Sequence, residues 1–144
     1  MLFFKKTSPP LPEPIVNQCC DGGKPRKVKL GILMCSVRKS FFSEAARGIK
    51  DASARIFPIP PDIEFELFNA DEADKQSLSL RSMLENGING LICSPVSNQD
   101  LFLYLERIAE KIPVITLGRK LDGSDNISHI GCDYIKAGRT AGEL

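Results

Sequence analysis

Four short segments hold the residues that could meet a small polar ligand. They are Cys35-Ser36-Val37-Arg38-Lys39-Ser40, Ser94-Pro95-Val96-Ser97, Gly118-Arg119-Lys120 and Cys132-Asp133-Tyr134. Together they offer hydroxyls, several cations and one carboxylate, and Phe41 and Phe42 add aromatic rings just after the first segment. Hydroxyls and carboxylates exchange hydrogen bonds with ligand hydroxyls, and a guanidinium presents a rigid fork of donors. Aromatic rings stack on the apolar face of an organic ligand, a sugar in particular. This is the chemistry of binding. Catalytic signatures are missing from the sequence: neither GxGxxG nor GxxxxGK[ST] is present to cradle a phosphate, and there is no GxSxG elbow. A phosphoryl receiver needs an acidic cluster after its first strand, and Met34-Cys35-Ser36-Val37-Arg38-Lys39-Ser40 has none. The lone histidine, His129, falls inside a strand-like run, where a packed, hydrogen-bonded ring is expected rather than a catalyst. The expectation is therefore a binding protein, not an enzyme, with no cofactor.

The cysteines point the same way. Cys19, Cys20, Cys35, Cys93 and Cys132 are odd in number and lack CxxC or Cys/His spacing, which argues against a disulfide framework and against a metal site. Cys35, Cys93 and Cys132 read as small buried hydrophobes near strand ends, and Cys19-Cys20 as exposed, oxidation-prone thiols. Other charged groups have ordinary readings: Arg38-Lys39 as a solvated loop, and Arg26, Lys27 and Lys29 as residues flanking a strand. Arg119 is the stronger ligand-binding candidate because it directly follows a strand end. Asp133 stands similarly, with helix N-capping as its plain alternative.

Each segment must be held by the elements around it. Residues 28–36 are a nearly continuous apolar run suited to a strand buried on both faces. Ser40 offers an N-cap for a helix over 41–56, with Phe41, Ala45, Ile49 and Ala52 inward, stopped by Pro58, Pro60 and Pro61. Residues 63–68 alternate strictly and predict a strand nearer an edge. From Asp71 a helix is predicted with Leu78, Leu80, Met83 and Leu84 inward, ending at Gly87. Strands follow at 88–95, 113–118 and 126–132. A helix capped by Ser97 or Asn98 places Leu101, Leu105, Ile108 and Ala109 inward, Asp122-Gly123 makes a turn, and a last helix starts at Tyr134. This alternation predicts right-handed crossovers and an open α/β sandwich, a parallel sheet flanked by helices on both faces. In such sheets ligands bind beyond the carboxyl ends of the strands, where the four segments fall.

Composition sets the outer limits. The chain has 144 residues, 42% hydrophobic and 26% charged, enough for a packed core. Nineteen Lys and Arg against eighteen Asp and Glu leave a net charge of +1, no global signature of a nucleic-acid or anionic-membrane partner. No apolar run approaches the roughly 20 residues that span a bilayer, and residues 1–14 lack a signal peptide's apolar stretch. A cytoplasmic location and no membrane partner are the expectations. Residues 1–27, with five prolines and Gly22-Gly23, read as a flexible tail or linker.

Taken in order, the segments VKLGILMCSVRKSFFSEAARGIKDAS, FNADEADKQSLSLRSMLENGINGLICSPVS and IPVITLGRKLDGSDNISHIGCDYIKAGRTAGEL resemble the type I periplasmic-binding-protein fold. The resemblance covers residues 28–144 and is to the effector domains of LacI-type (lactose-repressor-like) transcriptional regulators, and to the related sugar-binding proteins of ABC transporters. It implies a ligand cleft between two lobes. Phe41 and Phe42 match an aromatic pair flanking the sugar, Ser94 to Ser97 a loop lining the cleft, and Arg119 an arginine that binds ligand hydroxyls. Asp133 matches the crossing from first lobe to second.

Two positions depart from the family pattern. Gly118 stands where many relatives carry an acid, and Lys39-Ser40 replaces a common Asn-Pro. Lys39 suits an anionic or phosphorylated ligand. The resemblance further implies that 28–133 form a first lobe and 134–144 the start of a second, largely absent one. DNA would be contacted only through a helix-turn-helix outside this chain. The expected partner is a small-molecule effector, a sugar or derivative; regulatory relatives are commonly homodimers. The alternative is a periplasmic sugar-binding protein, which predicts an export signal upstream.

Overall fold

A computed structural model describes residues 20–21, 24–35, 39–69, 71–121 and 123–143. Two short strands, β1 (Cys20–Asp21) and β2 (Lys24–Pro25), pair antiparallel ahead of the main fold. The body then alternates: β3 (Lys29–Cys35), α1 (Lys39–Ile56), β4 (Asp62–Phe68), α2 (Ala73–Glu85), β5 (Gly90–Cys93), α3 (Gln99–Ala109), β6 (Val114–Leu117), β7 (Ile127–Ile130) and α4 (Tyr134–Gly142). The last five strands form one sheet in the order β4-β3-β5-β6-β7, every neighbouring pair parallel. This is the open parallel α/β sheet expected from the apolar runs. The alternating run at 63–68 does form an edge strand.

In a parallel pair, registered partners share a face and successive residues alternate. Leu33, Cys93 and Thr116 therefore lie on one face with Leu91 and Val114, while Ile32, Ile92 and Ile115 lie on the other. The first face is sealed by α2 and α3. Leu80 and Met83 from α2, and Leu101, Leu105 and Ile108 from α3, are buried in one cluster with Leu33, Leu91, Cys93 and Val114. The approach is close at Gly31, where a Cβ would stand 2.9 Å from Ile88 Cδ1 and 3.1 Å from Met83 Sδ. The second face is covered among the described residues by α1, which buries Ile32 and Met34 but leaves hollows on both flanks. An even cover on both faces was expected, and the structure departs from it: Phe65, Leu67 and Ile130 on this face are exposed.

Element ends correct the sequence reading in several places. α1 begins at Lys39, so Ser40 lies within the helix instead of capping it. α2 begins at Ala73 after Glu72, not at Asp71. Leu78 is 65% exposed, contrary to its expected inward position. Leu78 and Leu80 are two apart, which puts them on opposite sides of a helix. The buried stripe is instead Gln76, Leu80 and Met83, at i, i+4 and i+7. The helix stops as expected: Gly87, with φ +77°, takes the left-handed conformation that glycine adopts freely, and its N–H donates to the Leu84 carbonyl. Asn98, rather than Ser97, caps α3, its Oδ1 accepting from the Leu101 N–H at 2.9 Å.

Candidate functional site

The strand order fixes where a crevice opens. From β3 the chain steps to β4 on one side, then crosses β3 to reach β5 on the other. The connections leaving β3 and β5 therefore diverge at their carboxyl ends, the topological switch point of an open parallel sheet. Of the connection after β3, residues 36–38 lie outside the described residues, as do the side chains of Lys39, Phe41 and Phe42. The backbone places those three in the first turn of α1, at the carboxyl end of β3.

The other wall is built from the loop after β5. The Ser94 N–H donates to the Leu33 carbonyl at 2.8 Å, extending the ladder one residue past β5. Gln76, 1% exposed on α2, then grips the loop from below. Its Nε2 donates to the Ser94 carbonyl and its Oε1 accepts from the Val96 N–H, both at 3.1 Å. One amide thus satisfies two backbone groups that would otherwise be stranded, and an unmade buried hydrogen bond costs about 1–3 kcal/mol. Pro95 and Val96 are buried, which leaves Ser97 exposed at the rim and Ser94 half-buried. Sequence reasoning missed Gln76. A polar residue standing on an apolar helical stripe was the available signal.

The last two connections lie side by side. The Gly118 N–H donates to the Ile130 carbonyl at 2.9 Å, and a Cβ on Gly131 would come within 3.4 Å of the Gly118 carbonyl oxygen. Gly118 has φ +79°, a conformation most residues avoid, which accounts for glycine at this turn. The turn leaves Arg119 exposed in a hollow of about 270 Å³ shared with Lys120, Leu121 and, from α3, Gln99, Phe102 and Glu106. Arg119 and the start of α3 are therefore brought together, and Ser97 lies just ahead of that helix. Asp133 performs its plain alternative: its Oδ1 accepts from the Lys136 N–H at 2.9 Å and caps α4. No hydrogen bond or ion pair joins it to Arg119 or Ser97 among the described residues.

The remaining polar groups have structural roles. The half-buried His129 places Nδ1 3.1 Å from Oγ1 of the buried Thr116 on the neighbouring strand, so the ring is packed and bonded as the sequence suggested. Cys93 is buried, and loss of water pushes its thiol up to about 12, so it stays protonated and unreactive at neutral pH. Cys35 is half-buried, whereas Cys132 is exposed, contrary to the buried reading for all three. No group of His, Cys, Asp and Glu suited to a metal occurs among the described residues, and none of their helices is long and apolar enough to cross a membrane. No protein-family model matches the chain, and no curated protein matches it.

Proposed function

We propose that this chain is the effector-binding lobe of a LacI-type transcriptional regulator, the first lobe of a type I periplasmic-binding-protein-like domain. Its ligand is a small polar molecule, a sugar or sugar derivative, held at the carboxyl ends of β3, β5 and β6. The observation that supports this reading is the switch in strand order between β3 and β5, beside a hydroxyl-bearing loop that Gln76 fixes in place. The order of the segments in the sequence supports the same assignment.

In this reading the preset loop presents Ser94 and Ser97 without an ordering cost at binding. Arg119 donates to ligand hydroxyls, and Phe41 and Phe42 stack on the sugar. Lys39 neutralises a phosphate when the ligand carries one. Asp133 holds the start of α4, where the chain leaves the lobe. A second lobe closing over the ligand would bias DNA binding through a shift between two arrangements, and DNA itself is contacted by a domain outside these residues.

Titration of the ¹⁵N-labelled chain with neutral sugars and sugar phosphates tests the site. Resonance shifts are expected at residues 94–98 and 118–120, weakened by Arg119→Ala. No shift at about 10 mM ligand, a concentration that would register even millimolar affinity, removes the site. The regulatory assignment has its own test in the coding sequence immediately upstream. An in-frame helix-turn-helix supports it, and an apolar export signal overturns it.

A further inference from the structure

We propose that the groove between the carboxyl-terminal ends of α2 and α3 is a docking site for a short acidic peptide segment of a partner protein, one that carries apolar side chains among its carboxylates. The groove has a volume of about 420 Å³. Leu84 and Ile88, on α2 and its exit, and Ile108 and Ile112, on α3 and its exit, supply its apolar surface. Ile88 and Ile108 belong to the sealed core cluster, whereas Leu84 and Ile112 are only half-buried, so the core continues here into a surface that water reaches. Ile88 and Ile112 lead into β5 and β6, which puts the groove at the amino ends of the strands. The four candidate ligand segments lie at the opposite end, so the proposal does not depend on the effector reading.

Charge identifies the occupant. Arg107 and Lys111 line the groove, and both are exposed. Arg81 approaches from α2, its guanidinium 5.9 Å from the centroid of the Tyr104 ring, which lines the groove too. None of these three cations has an ion pair among the described residues. Lys27 and Lys29, at the same end of the sheet, are by contrast engaged. Lys27 pairs with Asp62 at 2.6 Å, and Lys29 reaches the Asn86 carbonyl at 2.9 Å and Glu64 at 4.0 Å. No carboxylate lines the groove among the described residues, although Glu85, Glu106 and Glu110 lie on or just beyond the same two helices. Glu106 lines the separate hollow of Arg119. The carboxyl end of α3 carries roughly half a negative charge, too little to neutralise three cations.

An apolar floor edged by unpaired cations selects a ligand with the complementary arrangement. A small carboxylate would answer one cation, and a polyanion without apolar groups would leave the floor wet. A peptide with Leu, Ile or Phe set between Asp and Glu residues covers the floor and places several carboxylates along the rim. Burial of the apolar side chains holds such a complex together, while the charges speed encounter and fix its orientation.

Selection of a displayed library of random peptides on the full chain tests this. Enriched peptides should combine apolar residues with Asp and Glu, and a synthetic representative should bind with a Kd of about 1–100 μM by fluorescence anisotropy. Its affinity should fall as salt rises. Arg107→Glu combined with Lys111→Glu changes only exposed side chains, so the variant should fold, as circular dichroism can verify. It should weaken the peptide about tenfold or more, and Arg81→Glu should weaken it less. The same reversal at Arg139, exposed on α4, should leave the affinity unchanged. Failure to enrich such peptides, or a peptide indifferent to the double reversal, overturns the proposal. Binding that survives replacement of the peptide's apolar residues by Ser also overturns it, because the surface would then read charge alone, as it would on duplex DNA or another polyanion.

Discussion

Beneath α2 and α3, Leu33, Leu91, Cys93 and Val114 are sealed in a single cluster, whereas Ile115, Leu117 and Ile130 lie beside α1 with open space around them. Both sets come from the same sheet and have similar chemistry. The difference is the number of helices each face receives. Two crossovers, β4 to β5 and β5 to β6, pass over the first face, and one, β3 to β4, passes over the second. Stability therefore resides in the first face, and the second is left for whatever covers it.

The largest test of that contrast is a pair of truncations. Leu105→Ala, in the sealed cluster, should cost about 2–5 kcal/mol in chemical denaturation, whereas Ile130→Ala, 60% exposed, should cost under about 1 kcal/mol in dilute solution. Similar costs would mean the faces are equally well packed. Next is Gln76→Leu, similar in size but unable to bond, which strands the Ser94 carbonyl and the Val96 N–H. It should destabilise by about 1–3 kcal/mol. Faster hydrogen exchange confined to residues 94–98 would show that the amide governs the loop more than the core.

A smaller effect should appear at alkaline pH. The Cys93 thiol, raised from 9.0 to about 12 by burial, keeps its proton in the folded protein while the unfolded chain loses it. The folded state then binds more protons, so stability falls as pH rises from about 9 toward 12. Cys93→Ala should flatten that decline relative to the parent. In native protein at pH 8, a thiol reagent should modify Cys132 promptly and leave Cys93 untouched. The smallest effect belongs to Glu72. The Asn69 N–H donates to its carboxylate at 2.6 Å, with help from Lys75, and holds it below the usual value of 4.5. That contribution is present above 4.5 and lost as pH falls through the lowered value. Glu72→Gln should therefore melt slightly lower than the parent at neutral pH and match it in strong acid.

Much of this architecture was legible because apolar runs and their spacing encode it directly. Residues 28–36 and 88–95 predicted buried strands, and 63–68 an edge strand, from local pattern alone. Helix ends were less legible. The first turn of α1 takes in Lys39 and Ser40, so a good capping residue did not mark the cap. Leu78 misled because hydrophobicity was counted without asking which side of the helix it occupied. Gln76 was overlooked for the converse reason: it is polar, and only the backbone groups of a distant loop justify it. The half-open face was beyond local pattern. The strands that carry Ile115 and Ile130 were legible, but not how little of their face α1 covers.

Gln76 also makes a mechanical link. Its side chain leaves α2 near the amino end of the helix and is anchored at both ends of the bend that carries Pro95. Because the grip is two-pointed, that bend cannot tilt or slide without loading α2 or breaking a bond to it. A molecule pressing on Ser94 or Ser97 would therefore push on a rigid rod rather than on a slack loop. The rod runs back over the sealed face, so the loop at the rim is tied directly to the best-packed part of the molecule.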